Sequence, residues 1–222
     1  MKAANDSEFA GFEPADSPPN LNTPLAVAAV VGWFLVSRIL EGAIQDGEMV
    51  PDFELPNAAG IAVNLQDLLD RGPVVITFTL GARSARCRRS LLALQSALAE
   101  TDGRGAALVA LSPDLPAVSR RLQASDGLTL ELLSDPQGHL AALFGVAYRP
   151  PIAVTEWLAF LGVEPPIEWP LAEVPLAATY VVSTDGIAAM AFIDADPLAR
   201  VDPARVTATV ARLRAGGSGG GV

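Results

Sequence analysis

Apolar residues follow two rhythms along this chain, short runs with almost no polar interruption and stretches in which leucine recurs at helical spacing. Val74-Val-Ile-Thr-Phe-Thr-Leu80 and Ala107-Leu-Val-Ala-Leu-Ser112 belong to the first kind and predict strands buried on both faces. Leu91, Leu94 and Leu98 belong to the second and predict a helix after the first of those strands, with Ser84 as its N-cap. Phe53-Glu-Leu55 and Ile61-Ala-Val63 flank Asn57-Ala-Ala-Gly60 as a small hairpin, and Asn64 caps a short helix at Leu65 to Leu69. Pro113-Asp114 leads into a helix through Val118 and Leu122. Ser134-Asp-Pro-Gln-Gly138 opens another through Leu140 and Phe144, with His139 exposed on its first turn.

Beyond residues 149–175, rich in proline and read as an insertion with a short helix from Thr155 to Leu161, regular structure returns. Thr179-Tyr-Val-Val-Ser183 and Ile187 to Ile193 predict an antiparallel hairpin around Thr184-Asp-Gly186. Asp202-Pro203 starts a last helix that ends near Arg214. Strands alternating with helices predict an α/β fold, a central mixed sheet covered by helices on both faces. The expected organisation is a flexible acidic leader at 1–23, an apolar helix at 24–48, one domain at 49–214 and a glycine-rich tail at 215–222. Trp157 and Trp169 in the insertion suit a lid over a site, a subunit contact or satellite packing equally.

The run Leu25 to Val36 has no polar face. A membrane span wants about 20 apolar residues, so a run this short reads as a packing helix, with membrane anchoring through residues 25–40 as the alternative. No secretory signal opens the sequence, which points to the cytoplasm. The net charge of −10 and the single lysine, Lys2, argue against a nucleic-acid partner, since phosphate binding needs a contiguous basic surface. One cysteine and one histidine exclude an intrachain disulfide and most metal sites, and no cofactor motif is present.

The chemistry therefore concentrates at Gly81-Ala-Arg-Ser84-Ala-Arg-Cys87-Arg-Arg-Ser90, where the only cysteine stands among four arginines as a strand turns into a helix. A sulfur in the first helical turn faces unpaired amides and the positive end of the helix dipole, with Arg83 and Arg86 adding formal charge. That setting favours a nucleophile. Cys87 also continues the apolar face of Leu91, Leu94 and Leu98, where a buried cysteine serves simply as a small hydrophobe. Both readings stay open on the residues alone.

Pro51-Asp-Phe-Glu-Leu-Pro56, the segment around Ser84-Ala-Arg-Cys87, Ser134-Asp-Pro and Ala178-Thr-Tyr-Val-Val-Ser-Thr-Asp-Gly186 together resemble the peroxiredoxin-like (AhpC/TSA) family. The resemblance covers roughly Met49 to Arg214 and implies a thioredoxin-like fold. It further implies a peroxidase in which Cys87 attacks hydrogen peroxide or an alkyl hydroperoxide, Ser84 orients the substrate oxygens, and Arg83 and Arg86 stabilise charge. An external thiol, thioredoxin-like or of low molecular weight, would recycle the sulfur, and the family leaves a homodimer open. Three positions depart from the family pattern. Leu80 stands for its proline, Ala177 for its arginine two residues before Thr179, and Ser84 for the first cysteine of a related Cys-x-x-Cys branch. A thioredoxin-fold scaffold without chemistry is the alternative these departures imply.

Overall fold

A computed structural model describes residues 39–81, 85–100, 105–149, 173–194 and 199–217. The expected leader, the run at 25–36, the Thr155 to Leu161 helix and both tryptophans of the insertion lie outside those residues.

In chain order the domain opens with β1 (Glu54–Pro56) and β2 (Ala62–Asn64), paired antiparallel. Their turn is closed by Asn57, whose side-chain oxygen accepts the amides of Ala59 and Ile61 at 2.9 and 3.0 Å. Asn64 accepts the Asp67 amide at 2.7 Å and so caps α1 (Leu65–Leu69) as expected. Then follow β3 (Val74–Phe78), α2 (Ala85–Glu100), β4 (Ala107–Ser112) and α3 (Pro116–Asp126). The last of these has proline in its first turn and ends at Gly127 in the left-handed region. Next come β5 (Glu131–Ser134) and α4 (His139–Leu143). The Asp135 carboxylate accepts the Leu140 and Ala141 amides, which explains why Ser134-Asp-Pro reads as a helix opening. His139 is exposed. A two-residue ladder joins β6 (Ala147–Tyr148) to β7 (Val174–Pro175), and β8 (Ala177–Val182), β9 (Ala188–Asp194) and α5 (Pro203–Gly217) complete the order.

The central sheet runs β5-β4-β3-β8-β9, parallel from β5 to β3 and antiparallel from β3 through β8 to β9. It is the mixed sheet that the alternating pattern implies. Sequence reading passes over β5, because Leu130 to Leu133 is too short an apolar run to separate from the helix that follows. It ends the last helix at Arg214, whereas α5 continues to Gly217, since glycine disfavours a terminal turn without forbidding it.

Each sheet face carries its own apolar layer. On one, Ile76, Phe78 and Tyr180 pack with Leu68 of α1 and Phe144 beyond α4. Phe78, Phe144 and Tyr180 meet edge-on or tilted, with ring centroids 5.0 to 6.2 Å apart. Burial here pushes the ionisation of Tyr148 and Tyr180 well above the ordinary tyrosine range. On the opposite face Val75 and Val181 pack with Leu94 and Leu98 of α2 and with Val206 and Val210 of α5. Truncating a leucine so placed costs about 2–5 kcal/mol, so these layers fix where α2 begins. Among the described residues no helix is long and apolar enough to cross a membrane.

Residues 42–50 are tied to the domain. Ile44 donates to the Phe144 carbonyl at 3.1 Å, Gly47 donates to Ala188 and Ala188 to Glu48, each at 2.8 Å. The crossing is so close that a Cβ on Gly145, at φ +69°, would lie 1.9 Å from the Gly42 carbonyl oxygen. Gly60 has a similar φ of +82° with open space around it. Gly60→Ala should therefore cost only backbone strain, about 1–2 kcal/mol, while Gly145→Ala should cost at least about 3 kcal/mol. Chemical denaturation of the two variants checks this, and equal losses would contradict the close crossing.

Candidate active site

Strand direction decides what meets at the end of the sheet. β3 and β9 are each antiparallel to β8, so they run the same way and their chains leave at the same edge. The chain after β3 enters α2, whose third residue is Cys87, and the chain after β9 passes through Arg200 before α5. Two residues 113 positions apart in sequence thus reach one rim, and Arg200 Nη2 donates to Cys87 Sγ at 3.7 Å.

The sulfur is placed by packing. Cys87 shares its helix face with Leu91, Leu94 and Leu98, all buried, which draws the first turn of α2 down onto the sheet. Helical side chains lean toward the N-terminus, so the sulfur leans toward a first turn whose amides have no partners within the helix. The turn carries no acidic residue. Cys87 is only 3% exposed, yet it borders a pocket together with Thr77, Thr79, Leu80, Thr179, Phe192 and Arg200. Beneath the sulfur β3 closes at Phe78, where its pairing with Ala178 ends, and Thr79 keeps a bond from its amide to the Leu111 carbonyl at 2.9 Å. The Thr79 hydroxyl reaches the same carbonyl at 3.3 Å and accepts the Gly81 amide at 3.4 Å, which turns the chain toward α2. A guanidinium beside a thiolate forms a charge-assisted N–H···S contact, so the arrangement can hold negative charge on sulfur.

Of the residues singled out from the sequence, Cys87 lines the pocket and Arg86 is exposed one position before it. Ser84 and Arg83 lie outside the described residues. Arg88, another of the four arginines around the cysteine, pairs with Asp126 at 2.6 Å. Leu80, in the family's proline position, is buried in the pocket wall, and Ala177 borders the pocket too. Arg200 is the functional residue that sequence reading misses. No local motif surrounds it, and only the strand order reveals that it shares an end of the sheet with Cys87.

Known proteins share this fold and place the chain in a family. The AhpC/TSA family model matches residues 47–190, and the chain belongs to that family. It is, at the level of the family, a thiol-dependent peroxidase and hence an oxidoreductase. A provisionally named peroxiredoxin of Mycobacterium tuberculosis is 33% identical over 103 residues, 46% of this chain and 67% of its own length. Among solved structures, peroxidoxin BcpB from Mycobacterium tuberculosis is 26% identical, with 78% of this chain and 97% of that chain covered at a TM-score of 0.59. Peroxiredoxin Q of Xanthomonas campestris shares the fold at 20% identity, with 73% and 90% covered and a TM-score of 0.54.

Removing the charge at the rim should slow the sulfur. Arg200→Gln is expected to lower the rate of Cys87 alkylation by iodoacetamide at neutral pH by about tenfold or more, the worth of a hydrogen bond to a charged group. An unchanged rate would mean that the guanidinium does nothing for the sulfur.

Proposed function

We propose that Cys87 is the nucleophile of a peroxidase that reduces hydrogen peroxide or alkyl hydroperoxides. The observation that carries this reading is the Arg200 guanidinium resting on the sulfur at the edge of a pocket. Thiolate at Cys87 attacks one peroxide oxygen in line with the O–O bond. An S–O bond forms, the O–O bond breaks, and the departing oxygen takes a proton to leave as water or an alcohol. The sulfur, oxidised by two electrons, becomes a sulfenic acid.

Arg200 offsets the negative charge in this step, supported by the amides at the start of α2. Ser84 orients the peroxide and Arg83 adds positive charge, roles that rest on the resemblance to the family motif. Arg86, exposed and one residue before Cys87, contributes through its long-range field. Since the chain has a single cysteine, no second thiol of the same chain can resolve the sulfenic acid. One external thiol condenses with it, releasing water, and a second restores Cys87 and departs as a disulfide. A thioredoxin-like protein and a low-molecular-weight thiol both satisfy this chemistry. A lone thiol that must return to the reduced state suits the cytoplasm.

Turnover should require Cys87 alone among the chain's side-chain sulfurs. With dithiothreitol as reductant, the wild-type chain is expected to consume hydrogen peroxide and tert-butyl hydroperoxide, and Cys87→Ser should fall to the rate of reductant alone. Equal consumption by the two chains would refute the assignment. Glutathione and thioredoxin tried separately in the same assay identify the class of reductant.

A further inference from the structure

Strands buried on both faces are normally filled with Val, Ile and Leu. Around the pocket of Cys87 this sheet carries Thr77 and Thr179 instead, with Thr79 just past the end of β3, all less than 10% exposed. A buried hydroxyl costs free energy unless it is used. Thr79 is used to turn the chain toward α2, as described above. The other two are register partners on β3 and β8 whose Oγ1 atoms lie 2.9 Å apart. Threonine pairs occur across strands in many proteins, but this one borders the pocket that holds Cys87 and Arg200.

Counting hydrogens shows what the pair can do. Each hydroxyl has one donor, and one of the two hydrogens occupies the bond between them. Within the described structure the other acceptor on hand is the Ala178 carbonyl, 3.4 Å from Thr77 Oγ1, long for an O–H···O bond. If Thr179 donates to Thr77, Thr77 makes that long bond. If Thr77 donates to Thr179, the Thr179 hydrogen has no acceptor among the described residues and is free to serve a ligand in the pocket. Passing from the first state to the second gives up only the long bond.

We propose that Thr179 is a further catalytic residue, whose hydroxyl donates a hydrogen bond to the departing peroxide oxygen while accepting one from Thr77. The inference rests on Cys87 being the nucleophile. As the S–O bond forms and the O–O bond breaks, negative charge collects on the departing oxygen. A donor already in place there lowers the barrier without reorganising. Thr179 is two positions from Ala177, on the same face of β8, so the hydroxyl works on the side of the pocket where the family's arginine is missing.

The test compares two reactions of one sulfur. In Thr179→Val, which keeps the shape and removes the hydroxyl, oxidation of Cys87 by hydrogen peroxide should slow by about ten- to a hundredfold. Alkylation of Cys87 by iodoacetamide, which has no peroxide oxygen to stabilise, should hold within about twofold, the scatter of a change that removes no group that reaction needs. Thr179→Ser should restore the peroxide rate. Oxidation of Thr179→Val at the wild-type rate would overturn the proposal, and so would a parallel fall in oxidation and alkylation, which would mark a merely structural hydroxyl. A wild-type chain no faster with peroxide than free cysteine would instead overturn the assignment of Cys87 and this inference with it.

Discussion

The contact between a guanidinium and a sulfur at one end of the sheet is the interaction on which the functional account turns. Cys87 alone is a small buried side chain on an apolar helix face, indistinguishable in its packing from Leu91 or Leu94. Arg200 changes that, because a guanidinium that hydrogen-bonds a sulfur is suited to holding negative charge there. The two residues meet only because β8 reverses the chain between β3 and β9. The antiparallel half of the mixed sheet is thus a requirement of the site as well as a feature of the fold.

The apolar layers give that contact its precision. Leu94 and Leu98 lock α2 against Val75 and Val181, and Val206 and Val210 lock α5 on the same face, so the two segments that carry Cys87 and Arg200 lean on one shared core. The polar row of Thr77, Thr79 and Thr179 then interrupts this layer just where the helix begins. A sheet built for stability alone would continue in valine. Ala177 stands where the family resemblance would put an arginine, and the guanidinium that borders the pocket comes from Arg200, in the chain after β9.

Much of this was legible in the amino-acid order. The short buried runs specify β3 and β4, Asn64 and the Asp202-Pro203 pair mark helix starts, and the strand-to-helix transition singles out Cys87. Asp202 does accept the Ala204 amide at 2.9 Å. What escaped reading was long-range. β5 is too short to announce itself, and Arg200 sits in an ordinary stretch whose importance comes from the strand order and from no local pattern. Charge density around the cysteine drew attention to neighbours in sequence, Arg86 among them, while the guanidinium at the sulfur comes from the far end of the domain.

The central claim is that this surrounding makes Cys87 a fast sulfur toward peroxide. Its second-order rate constant with hydrogen peroxide at neutral pH, measured by competition against free cysteine, tests that most directly. Cys87 should react about a hundredfold faster or more, the scale of a preorganised charge-stabilising site. A rate constant equal to that of free cysteine would contradict it and leave Cys87 as a packing residue.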